Sequence, residues 1–488
     1  MSIRSYVDLA FFVCVLRAGK SDVPPDVRDI IETGSDHDLE TLFGSAEHGT
    51  SSAYKAAGSA EHGAYSAYKA ALWNPDTHLH ETIHFWQGLS LPFLYFYSFS
   101  AFQTVNRVFV SLDQSFDDLH EWRCPMPGIL NLMTEPVYVY VKASDVECFR
   151  QDRGDRAGWR RLPGITALDM LESATSLIQW QLSTVPPHSG ILHFRRWAKQ
   201  NPAYPEAVDW LASMLQDKDL AVDLFLPLSN AAFHTMNPVM AFARTSIWYA
   251  TEYRGDERVP LYKVKQRIEK LIDKLAASLR STWPIAQAPT FEDPLTSVFD
   301  LPFYRFSMEK AIDLTFGKSE WRHPTLYRLA ERWLKESQTK REMCTLLDAP
   351  SAVSRSTVDC CFAEYQPLLL VHFDLPRRNR VVPLGRISDF DYVSRVEKDT
   401  PGVKGIEALF EQYIQFGTVR RATGAFYEPN MRLCHHRDCP EFAFNYCNSW
   451  ISIPVDHEKC GFRDKLKTIR TSLRNLKEAS HEPTINAN

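Results

Sequence analysis

Between Asn74 and Gln87 the chain reads Asn-Pro-Asp-Thr-His-Leu-His-Glu-Thr-Ile-His-Phe-Trp-Gln, and His80, Glu81 and His84 hold the spacing H-E-x-x-H. Helix geometry gives that spacing its chemical meaning. Residues i and i+4 share one helix face, so the imidazoles of His80 and His84 can converge on one metal ion. Glu81 then stands beside that point rather than on it, where it can take a proton from water. The flanks favour a helix. Asn74 is a good N-cap, Pro75 suits the first helical position and Asp76 complements the positive end of the helix dipole. Leu79, Ile83 and Trp86 form an apolar stripe beside the ligand face, extended by Phe93 and Leu94. Such a helix needs a fold large enough to bury it.

The chain supplies one. Its 488 residues suffice for two or three substructures. Hydrophobic residues at 44% and charged residues at 24% exclude a disordered chain. A net charge of -5, from 55 basic and 60 acidic residues, gives no global field toward nucleic acid or anionic membrane. The longest uncharged stretch, Thr82 to Asn106, contains Gly88, Pro92, His84, Gln87 and Gln103, so it reads as a buried helix, not a membrane span. Leu9 to Leu16 resembles the apolar part of a signal peptide. Asp8 and Arg17 bracket it closely and no small-residue cleavage site follows, so a buried strand and a cytoplasmic protein are expected.

The expected fold class is α+β, mainly helical. Helices are expected over Asn74 to Phe102, Thr166 to Ser183, Ala203 to Gln216, Asn230 to Tyr253 and Leu261 to Arg280. Further helices are expected over Phe303 to Phe316, His323 to Gln338 and Ile406 to Phe416, with strands over Pro136 to Lys142 and Leu368 to Phe373. Residues Gly44 to Ala57 recur as Gly58 to Ala71, differing only at Thr50/Ala64 and Ser51/Tyr65. Two copies are too few for a solenoid, so the duplication reads as a tolerant surface segment. Three regions result: an N-terminal strand and duplicated segment (1–71), a catalytic core (72–330) and a C-terminal helical region (331–488).

The motif over Asn74 to Gln87 resembles that of the zincin metallopeptidases. The resemblance implies a zincin-like core with zinc on His80 and His84 and with Glu81 as general base. Ser90 stands where the metzincin branch carries a third histidine, which excludes that branch. Gluzincin-like families take a glutamate from a later helix, in a pattern like E-G-x-A. Leu171-Glu172-Ser-Ala174 is similar, with Ser173 in place of glycine, and implies Glu172 as the third ligand. The thermolysin-type N-E-x-x-x-D pattern is not met, since Ser176 falls where the aspartate would be. Glu252, His120 and Asp117 stay open as alternatives. Thr166 and Asp169 form a capping-box-like start to this helix. Leu168, Leu171, Ala174 and Ile178 surround Glu172 in sequence, and a carboxylate in apolar surroundings demands a partner such as a metal. His234, Tyr249 and Tyr253 are the candidate oxyanion donors, and His78 is a candidate entrance residue.

Four of the 10 cysteines crowd into Cys434, Cys439, Cys447 and Cys460. Four thiols suit a second, structural zinc that would staple a loop-rich segment. His457 or His435 can replace one thiol; an iron–sulfur cluster and plain reduced thiols are the alternatives. Beyond them, Arg463 to Lys477 reads as a basic helix with Leu466, Ile469, Leu473 and Leu476 on one face, packed on its own domain rather than on a partner. The expected function is a zinc-dependent peptidase, hydrolysing a peptide or protein substrate by metal-activated water. A non-peptidase metal hydrolase or amidase, an iron enzyme on the same helix, and an interaction protein built on a zinc-binding scaffold are the alternatives. An intact Glu81 favours catalysis, because a scaffold has no need of a base.

Overall fold

A computed structural model of the chain describes residues 5–9, 12–19, 75–101, 136–142, 159–183, 191–200, 205–215, 217–253, 259–279, 304–317, 333–335, 337–365, 368–374 and 379–383, with 129, 132–133 and 301. The duplicated segment, Asn74, Asp117, His120, the helix expected at Ile406 to Phe416, the cysteine cluster Cys434–Cys439–Cys447–Cys460 and the basic terminal helix lie outside the described residues. The described residues are mainly helical, with one four-stranded and one two-stranded sheet.

The apolar N-terminal run is not one strand. β1 (Ser5–Asp8) and β2 (Val13–Gly19) form an antiparallel hairpin that turns between them. Phe12 closes that turn at φ 52, in the left-handed region that side chains with a Cβ seldom adopt. Burial holds it there. Its ring is 1% exposed and meets Tyr95 edge-on at 5.5 Å. It also covers Gly88 of the next element, α1 (Pro75–Ser90). A Cβ on Gly88 would lie 3.1 Å from the Phe12 ring, so the close approach of hairpin and helix explains a glycine within a helix. α1 ends where Pro92 removes a donor and disfavours helical backbone at Leu91, and residues 92–101 then form a second helical segment. The single helix expected over Asn74 to Phe102 is therefore broken at the proline.

The strand expected over Pro136 to Lys142 is reduced to a bridge, Val137 to Ile165, and to β3 (Tyr140–Lys142) paired with β4 (Trp159–Arg161). α2 (Ala167–Ser183) follows, opened by the expected capping box. Thr166 Oγ1 accepts from the Asp169 amide and Asp169 Oδ2 accepts from the Thr166 amide, both at 2.9 Å. Then come α3 (Ile191–Gln200), α4 (Glu206–Leu215), α5 (Lys218–Phe233), α6 (Pro238–Glu252) and α7 (Leu261–Leu279). The helix expected over Asn230 to Tyr253 divides at Asn237-Pro238. Asn237 Oδ1 accepts from the Met240 amide and Pro238 occupies the first turn of α6. α4, α5 and α6 meet on Phe242, whose ring lies 5.6 Å from both Trp210 and Phe225.

α8 (Met308–Ile312) runs into a π-helical turn at Asp313–Gly317, and α9 (Ser337–Asp348) and α10 (Arg355–Glu364) complete the helices. β5 (Leu368–Asp374) and β6 (Asn379–Pro383) return to the N-terminal hairpin, giving the order β1-β2-β5-β6. β2 and β5 are parallel, with Val13 opposite Leu368. Parallel neighbours need a long crossover, and here the whole helical region supplies it. Trp86 ties α1 to that return, donating from Nε1 to the Tyr365 carbonyl at 2.9 Å. Among the described residues no helix is long and apolar enough to cross a membrane.

Candidate metal centre

α1 carries His80, Glu81 and His84 with its second half wholly buried between the N-terminal hairpin and α2. α2 brings Glu172 to the two histidines. His80 Nε2 lies 3.1 Å and His84 Nε2 3.4 Å from the same oxygen, Glu172 Oε2. The ligand atoms of the three residues all lie within 4.8 Å of one another, close enough to hold one metal ion. Two imidazole nitrogens and a carboxylate oxygen are a donor set that zinc accepts, and so do other first-row divalent ions.

A buried atom supports the fit. His84 Nε2 is enclosed and has no hydrogen-bond partner among the described residues, although polar atoms in protein interiors are nearly always satisfied. Its other nitrogen, Nδ1, lies 3.0 Å from Gln87 Oε1 and 3.1 Å from Thr175 Oγ1, and the Thr175 hydroxyl donates to Gln87 Oε1 at 3.0 Å. His80 Nδ1 donates to Gln179 Oε1 at 3.2 Å.

The electrostatics follow from the crowding. Burial alone pushes the Glu172 carboxyl up, but His84 and His80 together outweigh it and hold the group well below the usual carboxylate range. Burial alone pushes the His84 imidazole down; Glu172, then Glu81 and Gln87, reverse this and raise it. Glu81 is 5% exposed, and its charge acts on His84 and on the buried Cys14 of β2. The trio is less enclosed on one side. The His80 and Glu172 side chains are 14% and 24% exposed, against 7% for His84, so the site opens past His80 and Glu172.

Glu172 does not sit among apolar side chains as its sequence neighbours imply. Met170, Leu171, Ala174, Leu177 and Ile178 face the core, Leu168 is exposed, and Ser173, Thr175, Ser176 and Gln179 make a buried polar seam along α2. Ser173, where the related pattern has glycine, has its own use: its Oγ accepts from the Ala207 amide at 3.1 Å and fixes the start of α4.

The other candidates are placed elsewhere. Glu252 pairs with Lys274 at 2.8 Å on the surface of α6 and α7. His234 caps α5, with Nδ1 3.2 Å from the Phe306 carbonyl. Burial, with Arg305 and Lys265 nearby, pushes its imidazole down to about 4, against the pull of that hydrogen bond. Tyr249 is buried against Tyr253, the ring centroids 5.3 Å apart, and Arg267 stacks on Tyr253. His78 falls in the first turn of α1. Gln87, Thr175 and Gln179 were not expected as site residues. The signal for them was spacing: Gln87 lies one turn after His84, and Thr175 and Gln179 lie one and two turns after Glu172. Comparison with protein-family models, curated proteins and solved structures returns no match.

Proposed function

We propose that the chain is a zinc-dependent hydrolase of the peptidase class, with His80, His84 and Glu172 as ligands and Glu81 as general base. The observation that carries this reading is the convergence of two imidazole nitrogens from one helix and a carboxylate oxygen from another, within reach of one ion. A buried carboxylate one residue past the first ligand is where a base is needed, and a site open past His80 and Glu172 leaves a route for a peptide. Bound zinc would supply Lewis acidity toward water and the scissile carbonyl. Glu81 would take the proton from the attacking water and deliver it to the departing amine. Glu172 and the histidines would balance the ion's charge, which accounts for a partly buried carboxylate in this position.

Elemental analysis of the purified chain, beside His80→Ala with His84→Ala, tests the site. The double variant should contain one zinc fewer per chain. Equal metal contents would remove the site, and iron in place of zinc would move the reading to the two-histidine, one-carboxylate iron enzymes. Glu81→Gln tests the chemistry. It should keep its metal and its fold while peptide hydrolysis falls on the order of 10²–10⁴-fold. Unchanged turnover would overturn the role of Glu81.

A further inference from the structure

The seam between α1 and α2 contains more polar atoms than three ligands need. Gln87 is 1% exposed, Thr175 is fully buried and Gln179 is 6% exposed. Side chains of this kind are costly to bury unless their hydrogen bonds are made. Each spends an oxygen on the distal nitrogen of an imidazole or on the group that holds it. Thr175 donates its only hydroxyl proton to Gln87 Oε1, so its oxygen can only accept from His84. His84 Nδ1 is thereby bracketed by two acceptors, at 3.0 and 3.1 Å, and carries a proton. His80 Nδ1 faces the amide oxygen of Gln179 and carries one too. In the neutral imidazole the remaining nitrogen is then an acceptor. Both Nε2 atoms face Glu172 Oε2, at 3.1 and 3.4 Å; a proton shared there is what a bound cation would replace, meeting the two lone pairs and the carboxylate oxygen.

We infer that Gln87, Thr175 and Gln179 are positioning residues that lock both imidazoles in the Nδ1–H tautomer, so that the chain presents a ready-made cation receptor. This rests on the metal-site reading above and extends it to the residues that set affinity. The acceptors are amides and a hydroxyl, so they fix the tautomer without adding charge to a pocket that already holds Glu81 and Glu172. The group that matters at position 87 is an oxygen acceptor, and a carboxylate should serve as well as an amide. Changes to partners of this kind cost on the order of 10–100-fold in metal affinity.

The experiment is a zinc competition titration against a chromophoric chelator, using full-length wild type, Gln87→Leu, Gln87→Glu, Gln179→Leu and Thr175→Val. His80→Ala with His84→Ala defines any zinc held elsewhere in the chain. Thermal melts in chelator check that each variant folds. Gln87→Leu and Gln179→Leu should bind about 10–100-fold more weakly at the trio. Gln87→Glu should bind as tightly as wild type or more so, and Thr175→Val should fall between. Wild-type affinity in both leucine variants would overturn the inference and leave the metal site standing. Equal loss in Gln87→Leu and Gln87→Glu would show that the residue acts through packing, and would also overturn it. A wild type indistinguishable from the double-histidine variant would overturn inference and site together. Gln179 lies on the other helix, so a misfolded Gln87 variant still leaves a decisive measurement.

Discussion

Two interfaces of this molecule are both buried and are built from opposite materials. Where α4, α5 and α6 meet, Trp210, Phe225 and Phe242 pack ring against ring, and beside them Ala207, Leu211, Ala221, Leu228 and Ala241 are fully buried. Where α1 meets α2, the facing side chains are His80, His84 and Gln87 against Glu172, Thr175 and Gln179. The first interface is stabilised by removing apolar surface from water, and depends on nothing outside the chain. The second loses solvation for every group it buries, and its hydrogen bonds recover only part of that. Burying two imidazoles around a carboxylate stabilises a fold only if something positive, a proton or a metal ion, sits between them. The contrast separates a structural interface from one shaped by a task.

The sharpest way to break that contrast is to damage the apolar interface. Phe242→Ala should destabilise the chain by about 3–5 kcal/mol, through lost burial and an unfilled cavity. Urea unfolding should give the same loss in zinc and in chelator. A loss that disappears once metal is removed would mean that the apolar interface forms only when the trio is loaded, and the contrast would fail.

Metal removal probes the other side. If zinc binds the folded trio and not the unfolded chain, free zinc at a hundred times its Kd adds about 2.7 kcal/mol of stability. Excess chelator should remove that from wild type. The His80→Ala, His84→Ala chain should lose less, by the trio's share. An identical response in both chains would assign all metal-linked stability to other residues.

Much of this architecture could be read from sequence where local chemistry decides it. The Thr166–Asp169 box starts α2 as expected, because a cap needs only residues three apart. The i and i+4 histidines share a face of α1 for the same kind of reason. Glu172 came within reach through its resemblance to a known pattern, and the trio does lie together. What could not be read was set by distant parts of the chain. β2 pairs with β5 across the whole helical region, a partnership that no local period announces. Leu9 to Leu16 reads as one strand because apolar periodicity is blind to a left-handed turn at Phe12, held there by Tyr95 and Gly88. The α5–α6 break was legible in Asn237-Pro238, yet the apolar pattern on both sides of it suggested one continuous helix. The polar seam escaped for a different reason. Its members belong to two helices, and nothing local to either helix shows that Gln87 and Gln179 meet the histidines until the helices are packed.

A third histidine sharpens the comparison, because it is satisfied without a cation. His234 donates to the Phe306 carbonyl and sits near Lys265 and Arg305, so its environment favours the neutral ring, whereas Glu172 and Glu81 favour the charged form of His84. The consequence for stability has a definite sign. The His234 imidazole titrates at about 4 in the folded chain and near its ordinary value when unfolded. Between those values the unfolded chain binds the extra proton. Stability from this residue is therefore complete above about pH 6.5 and is lost as pH falls toward about 4. A loss of about 1–2 kcal/mol between pH 7 and pH 5 is expected from this group. His234→Gln keeps a side-chain amide donor for the Phe306 carbonyl and removes the titration. Urea midpoints at the two pH values, in chelator so that the trio is metal-free in both chains, should fall less in the variant than in wild type. An equal fall would mean that His234 does not carry acid sensitivity, and that the neutral ring assigned to it is wrong. A smaller fall in the variant would establish two kinds of interior histidine in one chain: one kept neutral by a carbonyl, the other drawn toward a carboxylate.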